Sequence, residues 1–197
     1  MTAQFLARTL CAALAVTLLA LLPAVGGTAR AADLADLLPV CAGCHGEKGL
    51  PTEPDIPIIW GQEFYYLYVQ LKDYQAGRRA NEIMQGIVAD LSKEDMQNLA
   101  KHFSEQSWPS IGFEATDADT ARAKSAINAG MCTQCHLGKF QGNSRVPRTG
   151  GQQPGYLERT MFELKNKVRL NAAAMASLMA DFSDEDIRAM ANYLAGF

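Results

Sequence analysis

The chain has 197 residues, of which 48% are hydrophobic and 20% are charged. This composition is typical of a folded globular protein and excludes an intrinsically disordered chain. The net charge of −3 argues against a nucleic-acid-binding protein, because such proteins neutralise phosphates with Lys and Arg.

The first 31 residues have the pattern of a cleaved secretory signal. Arg8 is the only charge before an apolar stretch over residues 10–25, and a small-x-small cleavage site ends at Ala31. The alternative is an uncleaved anchor, but this stretch is shorter than the roughly 18–20 residues of a membrane-spanning helix. We therefore expect loss of Cys11 with the signal and a periplasmic protein over 32–197, with 16 basic and 21 acidic residues and a net charge of −5.

The four remaining cysteines all belong to two Cys-x-x-Cys-His motifs. CAGCH begins at Cys41 and CTQCH begins at Cys132, 91 residues later. Exported proteins usually form disulfides, but no cysteine is left over here to join other segments. The two thiols of this motif can add to the vinyl groups of haem while the adjacent histidine binds the iron. The motifs therefore predict two covalently bound haem c groups.

Zinc and a redox-active dithiol are the alternative interpretations of these motifs. Paired zinc-binding Cys-x-x-Cys ligands are separated by about 12–20 residues, whereas 87 residues lie between Cys44 and Cys132. A thioredoxin-like pair needs a strand followed by a helix, and the sequence does not predict one. Haem is therefore favoured.

The rest of the chain repeats at nearly the spacing of the motifs. Pro57-x-x-x-Gly61-Gln62 matches Pro147-x-x-x-Gly151-Gln152 at an offset of 90, and ADLSKEDMQNLA matches ADFSDEDIRAMA at an offset of 91. The chain is therefore a duplication. We expect a signal peptide over 1–31, a first domain over 32–106, a linker over 107–116 and a second domain over 117–197.

Each half has the periodicity of helices, and no stretch alternates like a strand. Ser92 and Ser183 are predicted helix caps followed by acidic first turns, and another helix is expected to begin near Asp117. Domains of this size are marginally stable on an apolar core alone, so we expect each haem to complete a core. The apolar stripes comprise Phe64, Leu67, Tyr68, Leu71 and Tyr74 in one half, and Leu157, Met161, Leu164 and Val168 in the other.

Methionines are the predicted second axial ligands. His102 is the only histidine outside the motifs, so two bis-histidine haems are excluded; it aligns with Tyr193 and is expected on a helix surface. Of seven methionines after residue 31, only Met84 and Met175 occupy equivalent repeat positions, both in segments predicted to be loops. His/Met coordination fills both axial positions, which favours outer-sphere electron transfer over an enzyme or a gas sensor.

Further repeated residues are candidates for the haem surroundings. The carbonyls of Pro57 and Pro147 are predicted to accept hydrogen bonds from the motif histidines, the alternative being simple turn prolines. Four other side chains are predicted either to contact haem propionates or to lie exposed without a role. They are Tyr66, Tyr156, Arg79 and Arg169.

These motifs resemble the two-haem class I cytochromes c of the cytochrome c4 family. The resemblance covers nearly the whole chain after the signal: both haem motifs, the paired P-x-x-x-G-Q-x-x-x-Y-L segments, the late methionines and the acid-capped last helices. It implies an all-α fold of two tandem cytochrome c domains, related by a pseudo-twofold axis with facing haems. It also implies ligands Cys41, Cys44, His45 and Met84 for one haem, and Cys132, Cys135, His136 and Met175 for the other.

The sequence departs from the family pattern in two places. The connection from His136 to Pro147 is short, and Trp60 replaces the small residue that usually precedes Gly-Gln. These changes leave the expected ligation intact but leave the choice of partners open.

The expected function is electron transfer between redox proteins. A donor dehydrogenase or quinol-oxidising complex would reduce the protein and a terminal oxidase or reductase would oxidise it, with peripheral association with the membrane left open. The chain also resembles the dihaem subunits of flavocytochrome c sulfide dehydrogenases, so an electron-accepting subunit of a dehydrogenase is the alternative.

The charge of the two halves differs by seven. Residues 32–110 carry 6 basic and 12 acidic side chains, a net of −6, whereas 111–197 carry 10 and 9, a net of +1. The hypothesis is that the first domain docks a basic partner and the second offers a different docking surface; the alternative is a solvated surface without such a role. The cationic residues of that second surface are Lys139, Arg145, Arg148, Lys165, Lys167 and Arg169.

Overall fold

The computed structural model describes residues 32–197, so the predicted signal peptide lies outside the described residues. This part of the chain contains nine helices and no β-strand, and none of these helices is long and apolar enough to cross a membrane. The first half forms α1 (Leu34–His45), α2 (Phe64–Gln75), α3 (Glu82–Val88) and α4 (Lys93–Ser104). The second half forms α5 (Asp117–Ala129), α6 (Thr133–His136), α7 (Pro154–Lys165), α8 (Ala173–Met179) and α9 (Asp184–Ala195).

The last helix of each half begins with the predicted cap. The Ser92 hydroxyl accepts a hydrogen bond from the Asp95 N–H at 3.1 Å, and the Asp95 carboxylate accepts one from the Ser92 N–H at 2.8 Å. Ser183 and Asp186 form the same reciprocal pair at the start of α9. The Thr116 side chain caps α5, which begins where the sequence predicted. These caps satisfy helix N–H groups that have no partner within the helix.

The two helical cores differ in how completely protein covers them. In the second half α9 packs against α5 and α7, and the α7 stripe is buried as far as Leu164. Val168 is 60% exposed, contrary to prediction, because α7 ends at Lys165 and the chain turns. In the first half α4 packs against α2, but of the α2 stripe only Tyr74 is fully buried. The other members of that stripe are only partly buried.

Reciprocal hydrogen bonds join the two halves at the repeat offset. The Tyr66 N–H donates to the Ser144 carbonyl at 3.1 Å, and the Tyr156 N–H donates to the Pro54 carbonyl at 2.9 Å. Since 66 and 156, and 54 and 144, are each 90 residues apart, the two bonds are one contact made twice. The halves are thus related by the expected pseudo-twofold axis.

The linker lies against the glycines of the repeated Gly-Gln motif. Gly61 and Gly151 have φ of 67° and 74°, in the left-handed region that favours glycine. A Cβ on Gly61 would lie 2.9 Å from the Trp108 main-chain nitrogen, and one on Gly151 would lie 3.0 Å from the Trp108 Nε1. The indole N–H donates to the Gly151 carbonyl at 3.3 Å, and the Arg148 guanidinium stacks 4.5 Å from the ring centroid. Both glycines therefore make room for one linker tryptophan.

The unusual Trp60 is accommodated by another glycine. A Cβ on Gly49, whose φ is +78°, would lie 2.6 Å from the Trp60 ring. The Trp60 ring therefore packs against Gly49, which has no side chain to collide with it. The backbone of the Gly-Gln motif keeps the same conformation in both halves.

Candidate haem sites

The two haem motifs are presented by different local structures. The first lies at the end of α1, which continues without interruption from Leu34 to His45. The second follows a break: α5 ends at Ala129, Met131 has a φ of +50°, and α6 is a single turn that ends at His136. The repeat therefore preserves the position of the motif but not the continuity of its helix.

Each motif histidine is oriented by the predicted proline carbonyl. The Nδ1 of His45 lies 2.8 Å from the Pro57 oxygen, and the Nδ1 of His136 lies 3.0 Å from the Pro147 oxygen. With Nδ1–H donating, Nε2 keeps the lone pair that can bind iron. Burial lowers the pKa of both imidazoles, and the carbonyl bond partly opposes this shift. The prolines are therefore more than turn residues.

The four motif cysteines show the same pattern of exposure in both halves. Cys41 and Cys132 are half-buried, whereas Cys44 and Cys135 are exposed. Burial raises the pKa of the first thiol in each pair. Among residues 32–197, no three His, Cys, Asp or Glu side chains converge on a common point that could hold a metal ion.

The two repeat-matched methionines lie in short helices, so the loop prediction was wrong. Met84 is the third residue of α3 and Met175 the third residue of α8. The Asn81 side chain caps α3 by accepting from the Met84 N–H at 2.9 Å. Both methionines are half-buried, which distinguishes them from the fully buried core methionines. Those are Met96, Met161, Met179 and Met190.

A buried polar cluster lies where the two halves meet. Arg79 and Arg169 are only 6% and 5% exposed, so the alternative of exposed residues is wrong. Arg79 donates to the Tyr156 hydroxyl at 3.1 Å and Arg169 donates to the Tyr66 hydroxyl at 3.3 Å. Both guanidinium groups also donate to the Gln70 side-chain oxygen. Each half thus supplies an arginine that bonds a tyrosine of the other half.

Within the described residues, neither arginine of the cluster is paired with an acid, because the buried Asp73 carboxylate in the same network bonds Asn171 and Arg78 instead. In the described part of the chain, neither Arg79 nor Arg169 forms an ion pair, although buried charges normally need one. Burial raises the pKa of the Tyr156 hydroxyl, but the two arginines outweigh it and lower that pKa to about 7. The Thr160 hydroxyl, at the repeat position of Gln70, is buried without a hydrogen-bond partner. Carboxylates such as haem propionates fit this environment.

Comparison with known proteins identifies the family. The family model described as cytochrome c oxidase, cbb3-type, subunit III, matches residues 118–194. Cytochrome c4 of Pseudomonas aeruginosa is 30% identical over 184 residues, covering 88% of this chain and 88% of that protein. The chain belongs to the cytochrome c4 family. It is accordingly a dihaem electron-transfer cytochrome with two covalently attached haems, and not an enzyme.

Two further similarities concern the fold and the function. The crystal structure of reduced recombinant cytochrome c4 from Pseudomonas stutzeri matches with a TM-score of 0.75 at 29% identity, covering 84% of this chain and 99% of that one. The prediction of two tandem class I cytochrome c domains is therefore confirmed. A protein named thiosulfate dehydrogenase electron acceptor, from Stutzerimonas stutzeri, is 29% identical over 169 residues, covering 79% of this chain and 77% of that protein.

The cationic docking surface of the second half is smaller than the sequence suggested. Arg169 is buried in the cluster, Arg148 stacks on Trp108, and Lys165 bonds Asp184 at 2.7 Å. These three side chains are therefore held by other groups. The members of the predicted set that remain exposed are Lys139, Arg145 and Lys167.

Sequence reasoning missed the role of two glutamines and of the linker tryptophan. Gln62 and Gln152 were recognised only as part of the repeat, yet they are 4% and 2% exposed and each bonds the main chain of the other half. A polar residue repeated beside a glycine was the available signal. His102, by contrast, is half-buried with its ring edge-on to Phe103 at 5.2 Å, away from the motif histidines in sequence and without a resolved role.

Proposed function

We propose that each half holds one haem through the residues of its own repeat. The observation that supports this most directly is the pair of Nδ1 to proline-carbonyl bonds, at 2.8 and 3.0 Å, which leave the lone pair of each Nε2 available to bind iron. The proposed attachment residues are Cys41 and Cys44 for the first haem, and Cys132 and Cys135 for the second. The proposed axial ligands are His45 and Met84 for the first, and His136 and Met175 for the second.

The side chains suit a carrier with closed coordination. When bound, each haem supplies a one-electron iron couple. The neutral, soft thioethers of Met84 and Met175 favour ferrous iron and so raise the reduction potential. With a histidine and a methionine bound to each iron, no position would be left for a substrate. Arg79 and Arg169 would compensate propionate charges within the buried cluster.

The proposed setting is the periplasm, with redox proteins as partners. The secretion pattern of residues 1–31 supports export. Donors would be a dehydrogenase or a quinol-oxidising complex, and acceptors a terminal oxidase or reductase. The similarity to a thiosulfate dehydrogenase electron acceptor favours a second candidate, in which the protein is the tightly bound electron-accepting subunit of a periplasmic dehydrogenase. Co-purification with a dehydrogenase would identify that second candidate, whereas a free dihaem protein would support a shuttle.

The two axial methionines provide the test of this function. The far-red absorption band arises from methionine bound to ferric iron. In each single variant, Met84→Ala or Met175→Ala, we expect this band to lose half of its intensity. We also expect carbon monoxide to bind the altered centre after reduction, and its potential to fall. Met131→Ala removes a 60% exposed methionine and is the control that should leave the band unchanged. An unchanged band in Met84→Ala would show that another group ligates the first iron.

The docking proposal for the second half rests on the exposed cations. Lys139, Arg145 and Lys167 would steer an acidic partner, and such steering acts mainly on the association rate. Reversing all three charges to Glu should slow reduction or oxidation by that partner at low salt, with the difference vanishing as salt screens it. Lys101→Glu, an exposed change in the first half, is the control. Equal slowing by the control would argue against a surface specific to the second half.

A further inference from the structure

We infer that Gln62 and Gln152 are positioning residues, each of which tunes the axial histidine of the haem in the opposite half. This inference rests on the histidine ligation proposed above. It concerns a second connection between the halves, separate from the arginine and tyrosine cluster.

The side chain of each glutamine forms two hydrogen bonds with the main chain of one residue in the other half. The Gln152 Nε2 donates to the Ile58 carbonyl at 2.9 Å, and its Oε1 accepts from the Ile58 N–H at 2.8 Å. The Gln62 amide makes the same pair with Arg148, at 2.9 and 2.8 Å. Since 58 and 148 are also 90 residues apart, this is a single arrangement built twice.

The orientation of each amide is fixed by a third bond. The Gln62 Oε1 also accepts from the Glu63 N–H at 2.9 Å, and the Gln152 Oε1 accepts from the Gln153 N–H at 2.8 Å. Two N–H donors on one atom identify it as the oxygen, which settles the choice that amide side chains normally leave open. The amide that contacts the opposite half therefore makes three hydrogen bonds, which hold it in one rotamer.

The residue that each glutamine bonds comes directly after the proline whose carbonyl accepts a hydrogen bond from the motif histidine. The Pro57 carbonyl, which accepts from His45 at 2.8 Å, belongs to the same peptide unit as the Ile58 N–H. That unit is planar and rigid, so Gln152 holds one end of it while His45 bonds the other. On the other side, the Pro147 carbonyl bonds His136 and the Arg148 N–H of the same unit bonds Gln62.

A direction of effect follows from this connection. Donation from a peptide N–H polarises the unit and strengthens its carbonyl as an acceptor. A stronger carbonyl acceptor draws the Nδ1 proton and makes the imidazole a more basic ligand, which favours ferric iron. Loss of the glutamine should therefore weaken the histidine bond and raise the potential of the haem in the opposite half.

If the two glutamines only held the halves together, loss of one would not change the potential of the opposite haem alone. The halves are already joined by the main-chain hydrogen bonds of Tyr66 and Tyr156. A third glutamine side chain also forms a hydrogen bond with the opposite half. Gln153 donates from Nε2 to the Pro51 carbonyl at 3.5 Å, away from either histidine-binding peptide. It offers a matched control of the same residue type.

The experiment compares Gln62→Met, Gln152→Met and Gln153→Met in the holoprotein. Methionine keeps the approximate length of glutamine but forms neither amide bond. In Gln152→Met we expect the oxidised-to-reduced ratio of the His45 centre to fall about threefold at a fixed potential, which is an upward shift of about 30 mV for a one-electron couple. In Gln62→Met the His136 centre should shift instead, and Gln153→Met should shift neither.

The two centres are told apart by NMR of the reduced protein. Signals of the axial methionine methyl groups are assigned from Met84→Ala and Met175→Ala, and the Nδ1–H proton of each histidine reports its own hydrogen bond. We expect that proton to move only at the opposite histidine. Should Gln152→Met fold poorly, Gln152→Asn, which retracts the amide by one methylene, should give a smaller shift in the same direction.

A shift in the same half, equal shifts in both halves, or no shift in either variant would overturn the inference. These outcomes differ from failure of the proposed function, which would be recognised in the unaltered protein. There, absence of axial methionine signals would contradict the ligation itself, before any glutamine is changed.

Discussion

The glycines beneath the linker provide the most direct test of how the halves are joined. In Gly61→Ala, the new methyl group would lie 2.9 Å from the Trp108 main-chain nitrogen and 3.0 Å from the Gln106 carbonyl oxygen. Both neighbours are backbone atoms, so neither can move without moving the linker. The φ of +67° adds strain for any residue with a side chain.

The two effects set the size of the loss. Left-handed backbone costs an L-residue about 1–2 kcal/mol, and overpacking against atoms that cannot move costs about 1–3 kcal/mol. Together they lower the free energy of unfolding by about 2–5 kcal/mol. For a chain of this size each kcal/mol is worth about 2–4 °C, so the melting temperature of the holoprotein should fall by at least about 4 °C.

The assay is thermal unfolding of the holoprotein, with Gly86→Ala as the matched control. Gly86 lies within α3, and a Cβ there would meet no atom within 4 Å. Alanine stabilises such a helical position by about 0.5–1 kcal/mol. If Gly61→Ala had the same melting temperature as Gly86→Ala, the linker backbone would not be in close contact with Gly61.

A second glycine separates the backbone contact from the side-chain contact. A Cβ on Gly151 would lie 3.0 Å from both the Trp108 Nε1 and the Phe197 carbonyl oxygen. Trp108→Ala should therefore relieve part of the cost of Gly151→Ala, with a coupling of about 1 kcal/mol. It should leave the cost of Gly61→Ala unchanged, because the atoms near Gly61 belong to the main chain. Equal relief at both positions would contradict the structure.

The capping boxes make a further pair of predictions. Ser183→Ala should lower the free energy of unfolding by about 1 kcal/mol, measured by denaturant titration, with Ser104→Ala at an exposed helix end as the control. The pH dependence follows from Asp186, whose pKa is lowered chiefly by its bond with Ser183. A carboxylate with a lowered folded-state pKa stabilises the protein above its unfolded pKa of about 3.9. The difference between Ser183→Ala and the unaltered protein should therefore be complete at pH 7 and shrink as the pH falls below about 3.9; a constant difference would exclude Asp186 as its source.

The local features of the fold were predictable because short-range chemistry determines them. Ser92 and Ser183 were recognised as caps from a serine followed three residues later by an acid, and that pattern is a sequence signature of a helix start. The proline carbonyls were also predicted correctly, because the repeat placed Pro57 and Pro147 at similar distances after their histidines, 12 and 11 residues respectively. The helices around Met84 and Met175 were missed because a segment of seven residues shows too little periodicity.

The interface could not be predicted from the sequence because it depends on how the halves pack. Arg79 and Arg169 look like ordinary exposed cations in a helical stretch, and only the packing of one half on the other buries them. Trp108 shows a similar limit, since no local pattern indicates that a linker residue would lie over glycines 47 and 43 positions away in opposite directions. The repeat identified the residues that matter but not which half each one contacts.

The duplication explains why those contacts cross from one half to the other. When two copies of a domain meet about a twofold axis, a residue that reaches across is met by its counterpart reaching back. Gln62 and Gln152 keep this reciprocity, as do Arg79 and Arg169, whereas Gln70 has diverged from its counterpart Thr160. The symmetric contacts hold the two histidine-binding peptides in equivalent surroundings. We therefore expect differences between the two haems to arise from the unmatched features. These are the break before the second motif, Gln70 at the interface and the difference of seven in net charge between the halves.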